Sequence, residues 1–383
     1  MGEISSNVMY GMNSPAKEYD GVNKYIRITD IDEFTHEFSP NPLTSPDGYL
    51  DEKFLLKKGD IVFARTGAST GKSYIYQEND GKIYFAGFLI KFHIDKANSK
   101  FVFYNSLREY YKHWVEIMSV RSGQPGINAN EYKKLKIKLP HVAEQEKIAN
   151  FLDLISQKIK CLNKKYLMYY DFKKGLIQQI FTQKLQFNFS NWDNMELSFI
   201  LDLIRNGYSG SQVSKITDYP VTRIETISKG FINTNKLGYV NNIDESYKLI
   251  KGDLLLSNIN SLKHIGKIAY FDSSQKIYHG MNLLILRFNK NTNSKFMYYY
   301  LTYKQHYFKK MACQAVNQAS IKMSDIKKMK ISIPKLEEQE KIANFLSAVD
   351  KKIVLIQTQI EKMEEFKKGL LQQMFTLVRS LFF

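Results

Sequence analysis

Two stretches of the chain carry apolar residues in alternating steps of four and three. The first runs Ile148, Leu152, Ile155, Ile159, Leu162, Tyr166 and Tyr169, then Leu176 and Ile180. The second runs Ile342, Leu346, Val349, Ile353, Ile356, Ile360 and Met363, then Leu370 and Met374. That spacing places all these side chains on one stripe of an α-helix, the pattern of a coiled-coil seam. In both stretches a lysine, Lys173 or Lys367, stands where the next apolar residue is due. A polar seam position fixes register at some cost in stability. Each helix is predicted to begin just after Pro140 or Pro334, because proline is tolerated in a first helical turn and pushes its predecessor to extended backbone. Glu144 and Glu146, like Glu337, Glu338 and Glu340, then lie near the positive end of the helix dipole. About 40 residues at ~1.5 Å each give a rod of roughly 60 Å. A rod with one apolar seam needs a partner in water. The simplest arrangement packs the two helices antiparallel; packing of each on its own globular part, or use of both in dimerisation, stays open.

The two stretches belong to a tandem duplication. Residues 131 to 182 and 325 to 376 are nearly the same sequence at an ungapped offset of 194 in a chain of 383 residues. This predicts two globular heads, 1–140 and 190–334, each followed by a helical spacer, 141–185 and 335–378, with approximate two-fold symmetry in the product. Short runs of Ile, Tyr, Phe and Val, broken by Gly, Asn and Asp, make the heads strand-rich, with a helical stretch near the end of each. The expected fold class is therefore α+β, with two strand-rich recognition heads in pseudo-two-fold arrangement and two long antiparallel coiled-coil helices between them. A fainter repeat links the heads: KYIRITDI at 24–31 matches PVTRIETI at 220–227, and KKGDIVFAR at 57–65 matches IKGDLLLSN at 250–258.

Where the scaffold repeats, the loops do not. ARTGASTGKSYIY follows the first Gly-Asp pair and SNINSLKHIGKIAY the second; later, SVRSGQPGINANEY stands against CQAVNQASIKMSDI. Divergent loops on a shared frame suit two different recognition tasks. Arg, Gln and Asn can bond base edges in pairs, while Lys, Ser and Thr reach phosphates. The candidates in the first head are Arg65, Thr66, Ser69, Lys72, Arg121, Ser122, Gln124 and Asn128. In the second they are Asn258, Asn260, Lys263, His264, Asn317, Gln318, Ser320 and Lys322. For any one of them the plain alternative is a solvated loop residue.

Net charge sharpens the choice of ligand. At +17, with a pI near 9.4, the chain calls for a polyanion, nucleic acid before an anionic membrane surface. Only eight of the 55 basic residues are arginine, and a bias toward Lys, Asn and Ile also follows from A/T-rich coding, so charge alone does not decide. Cys161 and Cys313 fall at non-equivalent places, which argues against a disulfide framework or a zinc site. With no apolar run near the ~20 residues that span a bilayer, a cytoplasmic protein without membrane contact is expected.

Apparent catalytic motifs fail on spacing. GASTGKS at 67–73 has three residues where a P-loop needs four, and Thr66 where it needs Gly, so a tight turn between strands is the better reading. The tetrapeptide Asn41-Pro42-Leu43-Thr44 lacks the second proline and the aromatic of an adenine-methylating site. No histidine has metal or general-base spacing.

Two variable heads, each followed by a proline and an EQEKIANFL…FKKGL helix, at Glu144 to Leu152 and Glu338 to Leu346 with endings at Lys174 and Lys368, resemble the specificity subunit of a type I restriction-modification system. The resemblance covers essentially the whole chain. It implies a non-catalytic DNA-binding subunit that reads a bipartite, asymmetric target in double-stranded DNA, one half-site per head, with the helix pair setting the interval. It also implies two modification subunits that methylate adenine, joined by restriction subunits. This chain would bind no cofactor and no metal; S-adenosylmethionine, ATP and Mg are expected on the partners. One departure is the abrupt start at Met1-Gly2-Glu3-Ile4, where the second head has a lead-in near Trp192. The first head is thus read as shortened, or as completed by the tail 377–383. A coiled-coil scaffold without sequence readout and a stand-alone DNA-modifying enzyme remain the alternatives from other classes.

Overall fold

A computed structural model describes residues 1–187, 191–227, 230–315 and 318–377. The chain divides into two compact units, one of Met1–Lys164 with Gln357–Phe383, the other of Lys165–Ile356. The cut runs through the middle of both long helices. Each unit therefore holds one head, the start of the helix that follows that head, and the end of the other helix.

In unit 1 the core sheet is built from β1 (Ser5–Tyr10), β2 (Asp60–Ala64), β3 (Ser73–Ile75) and β4 (Leu89–Ile94), in the antiparallel order β1-β4-β2-β3. Three short helices follow: α1 (Ser99–Asn105), α2 (Glu109–Met118) and α3 (Ala129–Lys133). Val142–Phe181 forms the first long helix, α4. One sheet face packs Phe63, Phe92 and Tyr132 against Ile148 and Leu152 of α4, while the other packs Val62, Ala64 and Leu89 against Ile26 and Phe85. A sheet covered on both faces explains the uninterrupted apolar run IVFA in β2, where a half-exposed strand would alternate.

Unit 2 repeats the plan. A lead-in strand β5 (Asp193–Glu196) precedes β6 (Leu201–Asn206), β7 (Leu254–Ser257), β8 (Ile268–Tyr270) and β9 (Leu283–Phe288), ordered β6-β9-β7-β8. After α5 (Ser294–Tyr303), α6 (Gln305–Met311) and α7 (Met323–Lys327), strand β10 (Lys330–Ile333) pairs with β5, and Leu336–Leu377 forms the long helix α8. The counterpart of β10 in the first head, 136–139, is not in a strand. Residues 378–383, most of the tail that sequence reading offered as its complement, lie outside the described residues.

The repeated Gly-Asp pairs have a physical reason. Gly59 and Gly252 sit at φ of 93° and 100°, which permits the turn into β2 and β7. The next carboxylate, buried in both units, closes that turn: Asp60 accepts the Lys57 amide at 2.8 Å and Asp253 the Ile250 amide at 2.8 Å. A buried carboxylate also needs a cation or donor. His93 Nδ1 lies 2.8 Å from Asp60, and Arg287 donates to Asp253 through Nε at 2.8 Å and Nη2 at 2.9 Å.

The long helices begin where expected, two residues beyond Pro140 and Pro334. Gln145 and Gln339 of the repeated EQE motif are buried and make the same two bonds. Gln145 Oε1 accepts the Asn98 amide at 2.9 Å and its Nε2 donates to the Pro140 carbonyl at 2.8 Å; Gln339 does the same with Asn293 at 2.9 Å and Pro334 at 2.8 Å. In unit 1 the start of α4 packs on the end of α8, and in unit 2 the end of α4 packs on the start of α8. Within each unit the two segments therefore run antiparallel. The predicted seam residues Ile148, Leu152, Ile155, Ile159, Leu162, Ile342, Leu346, Val349 and Ile356 are all buried, with Ile353 half-buried. Near the end of α8 the register differs from expectation: Leu371 and Phe375 are the buried pair, with Leu370 and Met374 beside them, because Phe375 turns toward Phe101 at a centroid distance of 4.8 Å.

The seam lysines find polar company inside their own units. Lys173 forms an ion pair of 2.6 Å with Asp350, which also accepts from Tyr299 Oη at 2.6 Å. Lys367 lies 5.8 Å from the ring of Tyr104, whose hydroxyl donates to Asp153 at 3.0 Å. Desolvation holds the Lys367 ammonium below its ordinary pKa, with Asp153, Glu37 and Glu364 opposing. Asp and Ser have traded places: unit 1 has Asp153 and Ser156 on successive turns, unit 2 has Ser347 and Asp350.

Candidate nucleic-acid interface

The two divergent loops of each head meet on the same frame. In unit 1 the Ile127 amide donates to the Arg65 carbonyl at 2.9 Å, and Thr66 bridges Gly126. In unit 2 the Ile321 amide donates to the Asn258 carbonyl at 2.8 Å, and Ile259 and Asn260 pair with Ser320 and Ala319. One backbone bond thus joins the loop after β2 or β7 to the loop after α2 or α6, and the loop side chains differ around it.

Of the eight candidates in unit 1, five converge. Arg65, Thr66, Arg121, Gln124 and Asn128 line one shallow hollow of about 260 Å³. Two of them also have structural duties. Arg121 ion-pairs with Glu131 at 2.6 Å, and Asn128 caps α3 by accepting the Glu131 amide at 3.0 Å. Ser69 and Lys72 do not line the hollow. They lie in the turn 67–73, which packs on α2 through Tyr111 Oη donating to the Gly71 carbonyl at 2.8 Å. Lys72 Nζ is 4.0 Å from Glu33. That turn is the tight connection between strands that the failed P-loop spacing implied. Gly67 and Gly71 have φ of 71° and 92°, and a Cβ at Gly71 would come within 2.7 Å of Val115. Ser122 is exposed beside the hollow without lining it.

In unit 2, Asn258 is buried at the end of β7, and its Nδ2 lies 3.5 Å from Asn206 Oδ1. Asn260 is held locally, donating to Ser257 Oγ at 3.0 Å and accepting the Ser261 amide at 2.8 Å. Lys263, exposed, and His264 occupy the turn 261–266. Desolvation, then Lys267, Lys263 and Lys309, lower the His264 pKa, which marks a concentration of positive charge at this edge. Ser320 and Lys322 are exposed close by. Asn317 and the Gln318 side chain lie outside the described residues.

Sequence reading missed residues that the sheet brings to the same place. Tyr10 ends β1 and carries the Arg65 guanidinium 4.9 Å from its ring centroid. Arg205 near the end of β6 lies over Tyr247 at 4.2 Å and donates to the Ser246 carbonyl. A second concavity of about 540 Å³, lined by Tyr10, Asn13, Arg27, Thr29, Arg65 and Phe88 among others, adjoins the first through Arg65. Among the described residues no cluster of His, Cys, Asp or Glu could hold a metal ion, and no helix is long and apolar enough to cross a membrane.

Two copies of one head-and-helix scaffold, differing in a pair of clamped loops rich in side chains able to bond base edges, define a duplicated recognition protein. The chain belongs to the type I restriction modification DNA specificity domain family, whose model matches residues 12–167 and again 190–365. It is 45% identical over 197 residues to the putative type I restriction enzyme MjaX specificity subunit of Methanocaldococcus jannaschii, a match covering 49% of this chain and 46% of that relative. A longer match, 23% identical over 359 residues, joins 85% of the chain to 80% of the MjaVIII specificity subunit of the same organism. The EcoKI specificity subunit of Escherichia coli K12 is 22% identical over 78% of the chain and 69% of its own length. Among solved structures, the type I restriction-modification S subunit from M. genitalium shares the fold at a TM-score of 0.63 and 16% identity, over 96% of this chain and 93% of that one. A chain from a study of complex assembly and conformational transition in the type I system matches at 0.59 and 15%, over 98% and 96%.

Proposed function

We propose that this chain is the DNA-reading subunit of a type I restriction-modification complex, that each head reads one half of a split, asymmetric target in double-stranded DNA, and that the helix pair sets the interval between the halves. The observation that carries this reading is the matched bond from Ile127 to Arg65 and from Ile321 to Asn258, which clamps unlike loops on like frames. The chain itself is non-catalytic. Two adenine-methylating modification subunits dock on it and restriction subunits join them, so S-adenosylmethionine, ATP and Mg are bound by those partners and not by this chain. The complex works in the cytoplasm. A scaffold without readout would have no use for the loop divergence.

Methylated adenines mapped genome-wide in cells carrying this chain with its modification partner should define one bipartite motif. Methylation without a shared motif would overturn the reading. Inserting the same few residues at matched points of α4 and α8 should lengthen the unread spacer and leave both half-site sequences intact, since half-sites on one face of DNA lie about 34–36 Å apart per helical turn.

A further inference from the structure

We propose that Arg65, laid on the Tyr10 ring, reads a single guanine in the half-site of unit 1, and that unit 2 has no equivalent guanine reader. The inference rests on the DNA-reading role above and adds to it one base and one pair of residues.

The first support is a contrast among the arginines. Six of the seven among the described residues are committed within the fold: Arg27 to Asp30, Arg108 to Asn105, Arg121 to Glu131, Arg205 to Ser246, Arg223 to Glu225 and Arg287 to Asp253. The Arg65 side chain has no hydrogen-bond or ion-pair partner among those residues, and its Nε, like that of Arg205, is enclosed without an acceptor.

The second support is how the side chain is held. Tyr10 is held by its hydroxyl, which accepts the Ala129 amide at 3.1 Å, so the ring is a platform in the larger concavity, beneath the one side chain, Arg65, that lines both. Stacking on an aromatic face keeps the guanidinium flat and leaves its in-plane N–H groups pointing outward. Two parallel N–H donors fit O6 and N7 of guanine. Adenine presents an amino donor where O6 would be, and the mismatch costs about 1–3 kcal/mol, roughly 5- to 150-fold.

The third support is register. Tyr10 faces Ile90 across β1 and β4, and Asn206 faces Leu284 across β6 and β9; Arg65 and Asn258 occupy the same clamped position. Unit 2 therefore replaces the Tyr10–Arg65 pair by Asn206 and Asn258. An amide offers one donor and one acceptor, and that pairing does not fit the two acceptors of guanine. The difference lies at one address in two like frames.

The test uses the full chain in complex with its modification subunit and a library of DNA duplexes randomised over both half-sites. Wild type should select a target with one guanine whose change to adenine weakens binding about 5- to 150-fold. Arg65→Lys keeps the charge and loses the fork, so it should bind without preference at that position and keep every other preference. Tyr10→Phe keeps the ring but loses the hydroxyl that holds it, so it should weaken the guanine preference; Tyr10→Leu, which removes the ring as well, should abolish it. If wild type selects a sharp target and Arg65→Lys still demands the same guanine, the inference is wrong and DNA reading stands. Loss of preference in both half-sites with Arg65→Lys would show a folding role and also overturn it. A wild type with no sequence preference would sink the DNA-reading role itself.

Discussion

His279 is wholly buried, and its Nε2 lies 3.0 Å from the Leu283 carbonyl. Desolvation lowers its pKa to about 4, so the folded form holds it neutral. An unfolded histidine binds a proton below about pH 6.5, hence stability from this residue is complete above that pH, falls as pH drops toward 4 and falls no further below it. The loss across that window is of order 3 kcal/mol. Phe85 holds the matching place in unit 1, where the Met12 amide bonds its carbonyl as the Tyr208 amide bonds that of His279. His279→Phe should flatten this part of the pH profile in urea unfolding; an unchanged slope between pH 6.5 and 4 would refute the assignment. Legibility at this scale follows chain distance. Arg65 and Gln124 stand out in loops by residue type alone. Tyr10 and Asn206 do not, because each meets its partner more than fifty residues away, and strand alternation does not reveal which two strand ends coincide.

At the scale of elements, the seams and helix starts were readable because a repeat at steps of three and four and a preceding proline are local signals. What the lysine in each seam does was not, since its partners sit on another helix and on a head. The cluster of Lys173, Asp350 and Tyr299 makes a measurable claim. Asp350→Ala leaves the buried Tyr299 hydroxyl and the half-buried ammonium without their shared acceptor, and should destabilise the protein by about 1–3 kcal/mol in thermal or urea unfolding. Exchanging the pair, Ser347→Asp with Asp350→Ser, recreates the order found in unit 1 and should recover most of that loss. No recovery would mean that the two clusters are not interchangeable. The same logic accounts for the slip to Leu371 and Phe375: an aromatic on a head can draw a helix away from its ideal register over the last turn.

For the whole molecule, the charge of +17 was ambiguous as composition and gains meaning from where lysines gather. Lys263, Lys267 and Lys309 all depress the same histidine at the edge of the unit 2 loops. DNA affinity of the complex should then fall steeply with salt. If six to ten phosphates are neutralised, the drop between 50 and 200 mM salt is roughly a thousand- to a hundred-thousand-fold. A nearly salt-independent affinity would remove the basic surface from the account. The duplication was visible in one chain because near-identity at a fixed offset needs no structural knowledge, and the α+β class because short runs of Ile, Tyr, Phe and Val mark strand-rich heads; the antiparallel pairing was the simplest of the arrangements that the seams left open. The division into units was not, because it cuts through uninterrupted helical pattern.

Gln145 and Gln339 hold their heads by main-chain atoms alone, the amide of one helix cap and the carbonyl of one proline. These two bonds are indifferent to the head's side chains beyond the proline, whereas the helix faces beside them pack on head residues such as Phe63 and Tyr132. A lineage can therefore rewrite the loops of a head and inherit these bonds unchanged, as long as the residues that face the helices are kept.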